Sequence, residues 1–160
     1  MKKLFLLTAI LVTGFTVMAQ KPDEVVKFSF EAYNFGKIKH GEPVTTYFEI
    51  TNISNKPVVI ENVVPTCGCT TPEWDRAPIA PNGTVKIKVG YNAQAVAPFT
   101  KDINIKLAGV EQMKAIKISG EVLSKEAWEA YVKTDEYKKA ESAKTKDATK
   151  SKKSTEKKNP

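Results

Sequence analysis

The chain has 160 residues, of which 41% are hydrophobic, and carries a formal net charge of +7 with a sequence pI near 9.3. That length suits one domain and is too short for two ordinary ones. The charge is uneven: residues 20–124 carry 12 basic and 11 acidic side chains, whereas residues 125–160 carry 11 lysines and 7 acids. Nucleic-acid binding needs a basic patch on the fold itself, so the nearly neutral body argues against that class.

The N-terminus has the three parts of a secretory signal. Lys2 and Lys3 precede an uncharged apolar stretch, Leu4 to Val17, and Val17-Met18-Ala19 provides a cleavage site before Gln20. The apolar stretch is short for crossing a bilayer, although an uncleaved anchor is the alternative. We therefore predict a signal peptide over 1–19 and export to the periplasm, the cell surface or the medium. No later segment is apolar enough to span, so we expect no integral membrane protein after cleavage.

Between residues 20 and 123 the dominant hydrophobic period is two, which indicates half-buried strands. The alternating or β-branched runs are Phe28 to Phe30 with a bent continuation at Phe35 to Ile38, then Val44 to Ile50, Val58 to Val64, Val85 to Tyr91, Ile103 to Leu107 and Ile116 to Val122. No ten-residue helical pattern interrupts them, so the sequence predicts an all-β, immunoglobulin-like antiparallel sandwich of about seven strands. A closed barrel remains the alternative.

Two clusters of turn-forming residues separate these runs. Asn52 to Pro57 follows the second run, and Pro81-Asn82-Gly83 leads into Val85. Both clusters contain a glycosylation triplet, at Asn52 and at Asn82. We interpret both triplets as ordinary turns.

The C-terminal part has a different composition. Ser124 is a good helix cap, and Trp128, Tyr131 and Val132 form an apolar stripe, so we predict a helix over 124–141. It would cover a strand edge or the end of the core, or else bind a partner. Residues 142–160 are Lys-rich and lack large apolar side chains, which predicts a disordered tail. The tail acts either as a tether or in weak contact with anionic surfaces.

The unusual local motif surrounds Cys67 and Cys69. Its other members are Pro65, Thr66, Gly68, Thr70 and Pro72. In an oxidising compartment the two thiols form a small disulfide ring, which a flexible Gly68 would help to close. Alternatively the paired thiolates bind Cu(I), or both cysteines simply pack as small apolar residues. Structural zinc needs four ligands, and two cysteines with one histidine are too few, so we expect no metal and no cofactor.

His40 is the only histidine of the chain. A Cys–His nucleophile pair with Cys67 or Cys69 is the catalytic interpretation, and a solvated turn residue is the structural one. None of the familiar hydrolase, zinc-protease, phosphate-loop or EF-hand motifs is present. The sequence therefore predicts a protein that is not an enzyme.

Taken in order, the motifs F-G-x-I at Phe35, C-G-C-T-x-P at Cys67 and I-x-P-x-G at Ile79 resemble the family called domain of unknown function 1573. The resemblance covers about residues 28–122 and leaves out the tail. It implies an exported bacterial protein with an immunoglobulin-like sandwich similar to major sperm protein and to cilium-associated domains, used for protein contacts. It implies no activity.

We therefore expect a non-catalytic module of the cell envelope that binds protein or glycan, or serves a structural role. Contacts would use exposed strand edges, where an incoming strand satisfies unpaired backbone groups, or the loop around Cys67. The alternative is a thiol-redox or Cu(I)-binding protein that acts through Cys67 and Cys69.

Overall fold

The computed structural model describes residues 20–139 and 141–142. The predicted signal peptide and nearly all of the predicted tail lie outside the described residues. In chain order the elements are α1 (Pro22–Val25), β1 (Val26–Phe28), β2 (Ala32–Lys39), β3 (Val44–Asn52), β4 (Ile60–Pro65), β5 (Thr70–Glu73), β6 (Thr84–Tyr91), β7 (Pro98–Leu107), β8 (Lys114–Leu123) and α2 (Lys125–Tyr131).

The strands form two four-stranded sheets, in the orders β1-β3-β6-β5 and β2-β8-β7-β4. Alternate residues of both sheets point inward and make one core, whose largest fully buried side chains include Phe48, Ile50, Ile87, Ile103 and Ile118. The predicted all-β sandwich is confirmed. None of the helices in the described part of the chain has the length and apolar character needed to cross a bilayer.

The N-terminal strands differ from the prediction of one bent run. β1 pairs with β3, whereas β2 pairs with β8, so the chain crosses between the sheets at residues 29–31. The β2–β8 pairing is parallel and all other pairings are antiparallel. Hydrophobic alternation reveals which residues point inward but not which strand lies alongside, so it gave no sign of this crossing.

A bulge in β2 explains the F-G-x-I motif. Phe35 and Ile38 are three residues apart, a spacing that puts two side chains on opposite faces of a regular strand. The pairing with β8 shifts register between Asn34 and Lys37, and Gly36 takes a positive φ of 71°. The bulge turns both Phe35 and Ile38 into the core, where each is 4% exposed.

The C-terminal helix begins where its cap predicts. The Ser124 hydroxyl accepts a hydrogen bond from the Ala127 amide at 3.2 Å. The helix ends at Tyr131, well short of residue 141, and a second helical segment follows at 135–139. Near the C-terminal end of β2, the Lys37 ammonium lies 4.6 Å from the centre of the Tyr131 ring and 3.1 Å from the Glu136 carboxylate.

Candidate functional site

Cys67 and Cys69 are joined by a disulfide, with their Cα atoms 5.3 Å apart. The bond lies where the chain passes from β4 to β5, which are the edge strands of different sheets. The predicted loop is shorter than expected: Pro65 is the last residue of β4, and Thr70 and Pro72 belong to β5. The sequence missed β5 because four residues containing a proline do not make a strand signal.

Backbone hydrogen bonds hold both ends of this disulfide loop. The amide and the hydroxyl of Thr66 donate to the Asp102 carbonyl of β7, at 3.0 and 3.1 Å. The Asn92 amide, just after β6, donates to the Cys69 carbonyl at 3.1 Å. The loop is thus tied to both sheets by contacts that do not involve sulfur.

Thr70 lies beneath the disulfide and is 2% exposed. Its hydroxyl oxygen is 3.5 Å from the sulfur of Cys67 and 4.0 Å from that of Cys69. Cys69 also packs against the core cluster, and both cysteines are half-buried. The two sulfurs therefore have different surroundings, and the only hydroxyl hydrogen-bonded to them among the described residues is nearer Cys67.

Gly68 lies between the two cysteines, whose Cα atoms are 5.3 Å apart, and its role as a flexible centre stays a prediction. Its φ is not among the positive values of the described glycines, and a Cβ built on it would have no atom within 4 Å. Gly68 therefore leaves the surface of the loop unobstructed at its own position.

His40 does not join the cysteines. Its Nε2 is 3.1 Å from the carbonyl oxygen of Gln94, to which a protonated Nε2 donates. Two sulfurs bonded to each other present no thiolate to Cu(I), and in residues 20–139 and 141–142 no third His, Cys, Asp or Glu side chain groups with them. The geometry therefore assembles neither a Cys–His pair nor a metal centre in the part of the chain that is described.

The edge of β5 is closed to an incoming strand. Thr71 and Glu73 of β5 direct their backbone groups toward β6, where they lie opposite Gly90 and Lys88. Because backbone groups along an edge strand point alternately toward and away from its neighbour, Thr70 and Pro72 direct theirs outward. The Thr70 amide already donates to the Cys67 carbonyl at 3.3 Å, and a proline has no amide hydrogen. β5 therefore offers no free amide to a partner on this edge.

The edge of β4 is closed by similar means. Thr66 and Val64 bond to β7, so Val63 and Pro65 direct their backbone groups outward. The Val63 amide donates to the Asn62 side-chain oxygen at 2.9 Å, and Pro65 has no amide hydrogen. Further along, the indole nitrogen of Trp74 donates to the Ile60 carbonyl at 3.3 Å. The side of the sandwich bordered by β4 and β5 is thus capped by prolines and side chains.

The opposite side, bordered by β1 and β2, is different. β1 has only three residues, and the Val26 amide donates to the Pro22 carbonyl in α1. β2 has eight residues, and its outward backbone groups before the bulge belong to Ala32 and Asn34. Both residues are exposed, and neither outward amide has a hydrogen-bond partner among the described residues. On β1 the outward amide of Phe28 also lacks a partner among the described residues, but β2 is the longer edge and presents two such amides in line.

Aromatic side chains lie beside this open edge. Phe30, in the crossing segment, is 38% exposed, and its ring centre is 5.0 Å from Phe48 and 5.9 Å from Tyr33. An apolar side chain on an added strand would find a contact surface there.

The start of β2 is held in place by a half-buried cation. The Lys114 ammonium of β8 is 2.6 Å from Asp23 and 2.7 Å from Glu31, the residue before β2. Burial disfavours the charge of Lys114, but hydrogen bonds to the two carboxylates outweigh it and raise its pKa. Sequence reasoning missed Ala32, Asn34 and Lys114 because only the topology identifies β2 as an edge.

Comparison with solved structures supports the fold alone. A protein of unknown function from Porphyromonas gingivalis W83 has a TM-score of 0.54 at 22% identity, with 61% of this chain and 46% of that chain covered. The PapD-like domain 7 of human CEP192 has a TM-score of 0.54 at 12% identity, with 68% and 92% covered. The VesB protease of Vibrio cholerae has a TM-score of 0.51 at 13% identity, with 62% and 32% covered. This chain thus spans less than half of the P. gingivalis and V. cholerae proteins.

No curated protein matches the chain in sequence. A family model does, over residues 26–122, which is the whole sandwich from β1 to the end of β8. The motifs at Phe35, Cys67 and Ile79 all fall within the matched region. The chain belongs to the family described as "protein of unknown function (DUF1573)".

Proposed function

We propose that this protein is a non-catalytic, exported module of the cell envelope that binds a partner protein by accepting an extended strand at β2. The observation that carries the proposal is the contrast between the four sheet edges. β4 and β5 are closed by Pro65, Pro72 and local hydrogen bonds, whereas Ala32 and Asn34 of β2 present unpaired amides to solvent. Main-chain bonding to such an edge is a recurring mode of peptide recognition.

The surroundings of β2 favour a peptide over a glycan. The outward amides of Ala32 and Asn34 are two residues apart along one line, which matches the repeat of an extended backbone. Phe30 and Tyr33 add an aromatic surface for one side chain of that strand.

A photo-crosslinking amino acid at position 32 tests this site in the full chain inside the native cell. Val64 is the matched control, because it is also exposed and lies in the other edge strand of the same sheet. We expect a crosslinked protein from position 32 and none from position 64. The crosslinked segment is then made as a synthetic peptide. Its binding should slow amide hydrogen exchange at Ala32 and Asn34 at least tenfold.

Two results would contradict strand addition at β2. One is equal crosslinking from positions 32 and 64. The other is a bound peptide that leaves exchange at Ala32 and Asn34 unchanged. A concentration-dependent dimer whose interface is β2 would instead assign the edge to a second copy of this chain.

Export is tested separately. If residues 1–19 are a cleaved signal, the mature protein begins at Gln20, and intact-mass measurement of protein from the cell envelope detects the loss of the first nineteen residues. Replacing Lys2 and Lys3 with glutamate removes the positive n-region, and we expect unprocessed precursor to accumulate. Full-length mass in wild-type envelope fractions would contradict the cleaved signal.

A further inference from the structure

The Cys67–Cys69 bond has a chemical role that does not depend on partner binding at β2. We infer that this disulfide is exchange-active: a dithiol reduces it, the attacking sulfur bonds to Cys69, and Cys67 leaves as the thiolate. Three features of the loop carry the inference, namely its access, its anchoring and the difference between its two sulfurs.

Access comes from Gly68 and from the exposure of the loop. Thr66 and Gly68 are exposed, and both cysteines are half-buried rather than enclosed. No atom lies within 4 Å of the position that a Cβ of Gly68 would occupy. An attacking protein can therefore approach the loop at Gly68 without meeting a side chain there, and both sulfurs belong to residues that are only half-buried.

Anchoring keeps the two thiols in place when the bond opens. Thr66 is bonded to Asp102 of one sheet, and Cys69 accepts the Asn92 amide from the other. A ring between residues only two apart adds little constraint to the unfolded chain, so the fold does not depend on it. The reduced loop therefore stays close to the geometry in which the bond can re-form.

The surroundings of the sulfurs decide which one leaves. A thiolate at Cys67 has the Thr70 hydroxyl 3.5 Å away as a donor, against 4.0 Å for Cys69. A stabilised thiolate is the better leaving group.

The exchange balances in two steps. A thiolate of the dithiol attacks the Cys69 sulfur, the sulfur–sulfur bond breaks, and its electron pair goes to Cys67. The second thiolate of the dithiol then attacks the mixed disulfide, forms a disulfide within the dithiol and releases the Cys69 thiolate, which takes a proton from water. This protein ends as a dithiol, and its reaction partner ends oxidised.

Glutathione, used as a single-thiol probe on the full chain, tests the direction of attack. After a short exposure and rapid alkylation with N-ethylmaleimide, we expect glutathione on Cys69 and the alkyl group on Cys67 in a ratio of about five to one or more. This measurement uses the wild-type protein and so depends on no variant folding correctly. Glutathione attached mainly to Cys67, or equally to both, would overturn the inference.

Thr70→Val tests the role of the hydroxyl, with Thr71→Val as the matched control because Thr71 is the exposed neighbour in the same strand. With dithiothreitol as reductant, Thr70→Val should slow reduction roughly fivefold to tenfold and Thr71→Val should not. A native protein whose bond resists dithiothreitol until it unfolds would refute exchange activity altogether. Equal reduction rates for the two variants would show that the Thr70 hydroxyl does not assist the exchange.

Discussion

Replacing Asn52 with alanine is expected to lower the free energy of unfolding by roughly 2–4 kcal/mol. Asn52 is fully buried, and its amide donates to the carbonyls of Lys56 and Ile79, each at 2.8 Å. Its side-chain oxygen accepts from the amide and the hydroxyl of Ser54, at 2.9 and 2.8 Å. Alanine removes all four bonds, and the Ile79 carbonyl then keeps only the Val58 amide as a donor. Denaturant unfolding of the purified chain without residues 1–19 measures the loss.

Asn55→Ala is the control for this variant, because Asn55 is exposed in the same turn and its side chain forms none of these bonds. Its effect should stay within about 0.5 kcal/mol of wild type. If Asn52→Ala unfolds at the same denaturant concentration as Asn55→Ala, the buried amide does not hold the turn.

Asn52→Asp should make the loss pH-dependent. A carboxylate cannot donate to the two carbonyls, and burial raises the pKa of an aspartate above its unfolded value of about 4. The protonated form of the new carboxyl group is favoured in the folded state. The loss of unfolding free energy relative to wild type is therefore smallest below about pH 4. It should grow as pH rises from about 4 through the folded-state pKa. Unfolding curves of both proteins across this range show whether the difference has that sign.

Replacing Gly120 with alanine is expected to cost about 1–3 kcal/mol because there is no room for a side chain. A Cβ on Gly120 would lie 2.8 Å from two ring atoms of Phe99 and 2.9 Å from the carbonyl oxygen of Gly36. The Phe99 ring cannot easily retreat, because it stacks on Tyr91 of the other sheet with ring centres 3.9 Å apart. Thermal or denaturant unfolding measures the cost.

Gly68→Ala is the matched control, since its Cβ meets nothing within 4 Å, and it should be close to neutral. The double variant Gly120→Ala with Phe99→Leu tests the cause. If the clash is with the ring, Phe99→Leu lowers the free energy of unfolding less in the Gly120→Ala variant than in wild type. If the two losses of unfolding free energy simply add, the strained contact is with the Gly36 carbonyl oxygen and not with the Phe99 ring.

The parts of this fold that obey a local rule could be predicted from the sequence. The runs at Val44, Val85 and Ile103 alternate strictly and became β3, β6 and β7. The parallel partner of β2 could not be predicted, because alternation fixes the inward face of a strand and not its neighbour. The end of the C-terminal helix at Tyr131 could not be predicted either, because the composition after Ser124 gave no sign of it.

The candidate sites divide in the same way. The proximity of Cys67 and Cys69 is a local property, and a disulfide was among the open interpretations. Asn52 was recognised as a turn residue. Its hydrogen bond to the Ile79 carbonyl could not be predicted, because the two residues are far apart in the sequence. Pro65 and Pro72 were noted only as flanks of the motif. Their effect on the outward amides became visible once β4 and β5 were known to be edges.

If β2 accepts a strand as proposed, the closed edges of β4 and β5 also bear on the stoichiometry of the complex. Prolines at β4 and β5 prevent a strand added at β2 from being followed by another at the far side of either sheet. Under the proposed strand addition, these closed edges favour a one-to-one complex or a twofold pair over a growing fibre. Edge closure of this kind acts against polymerisation.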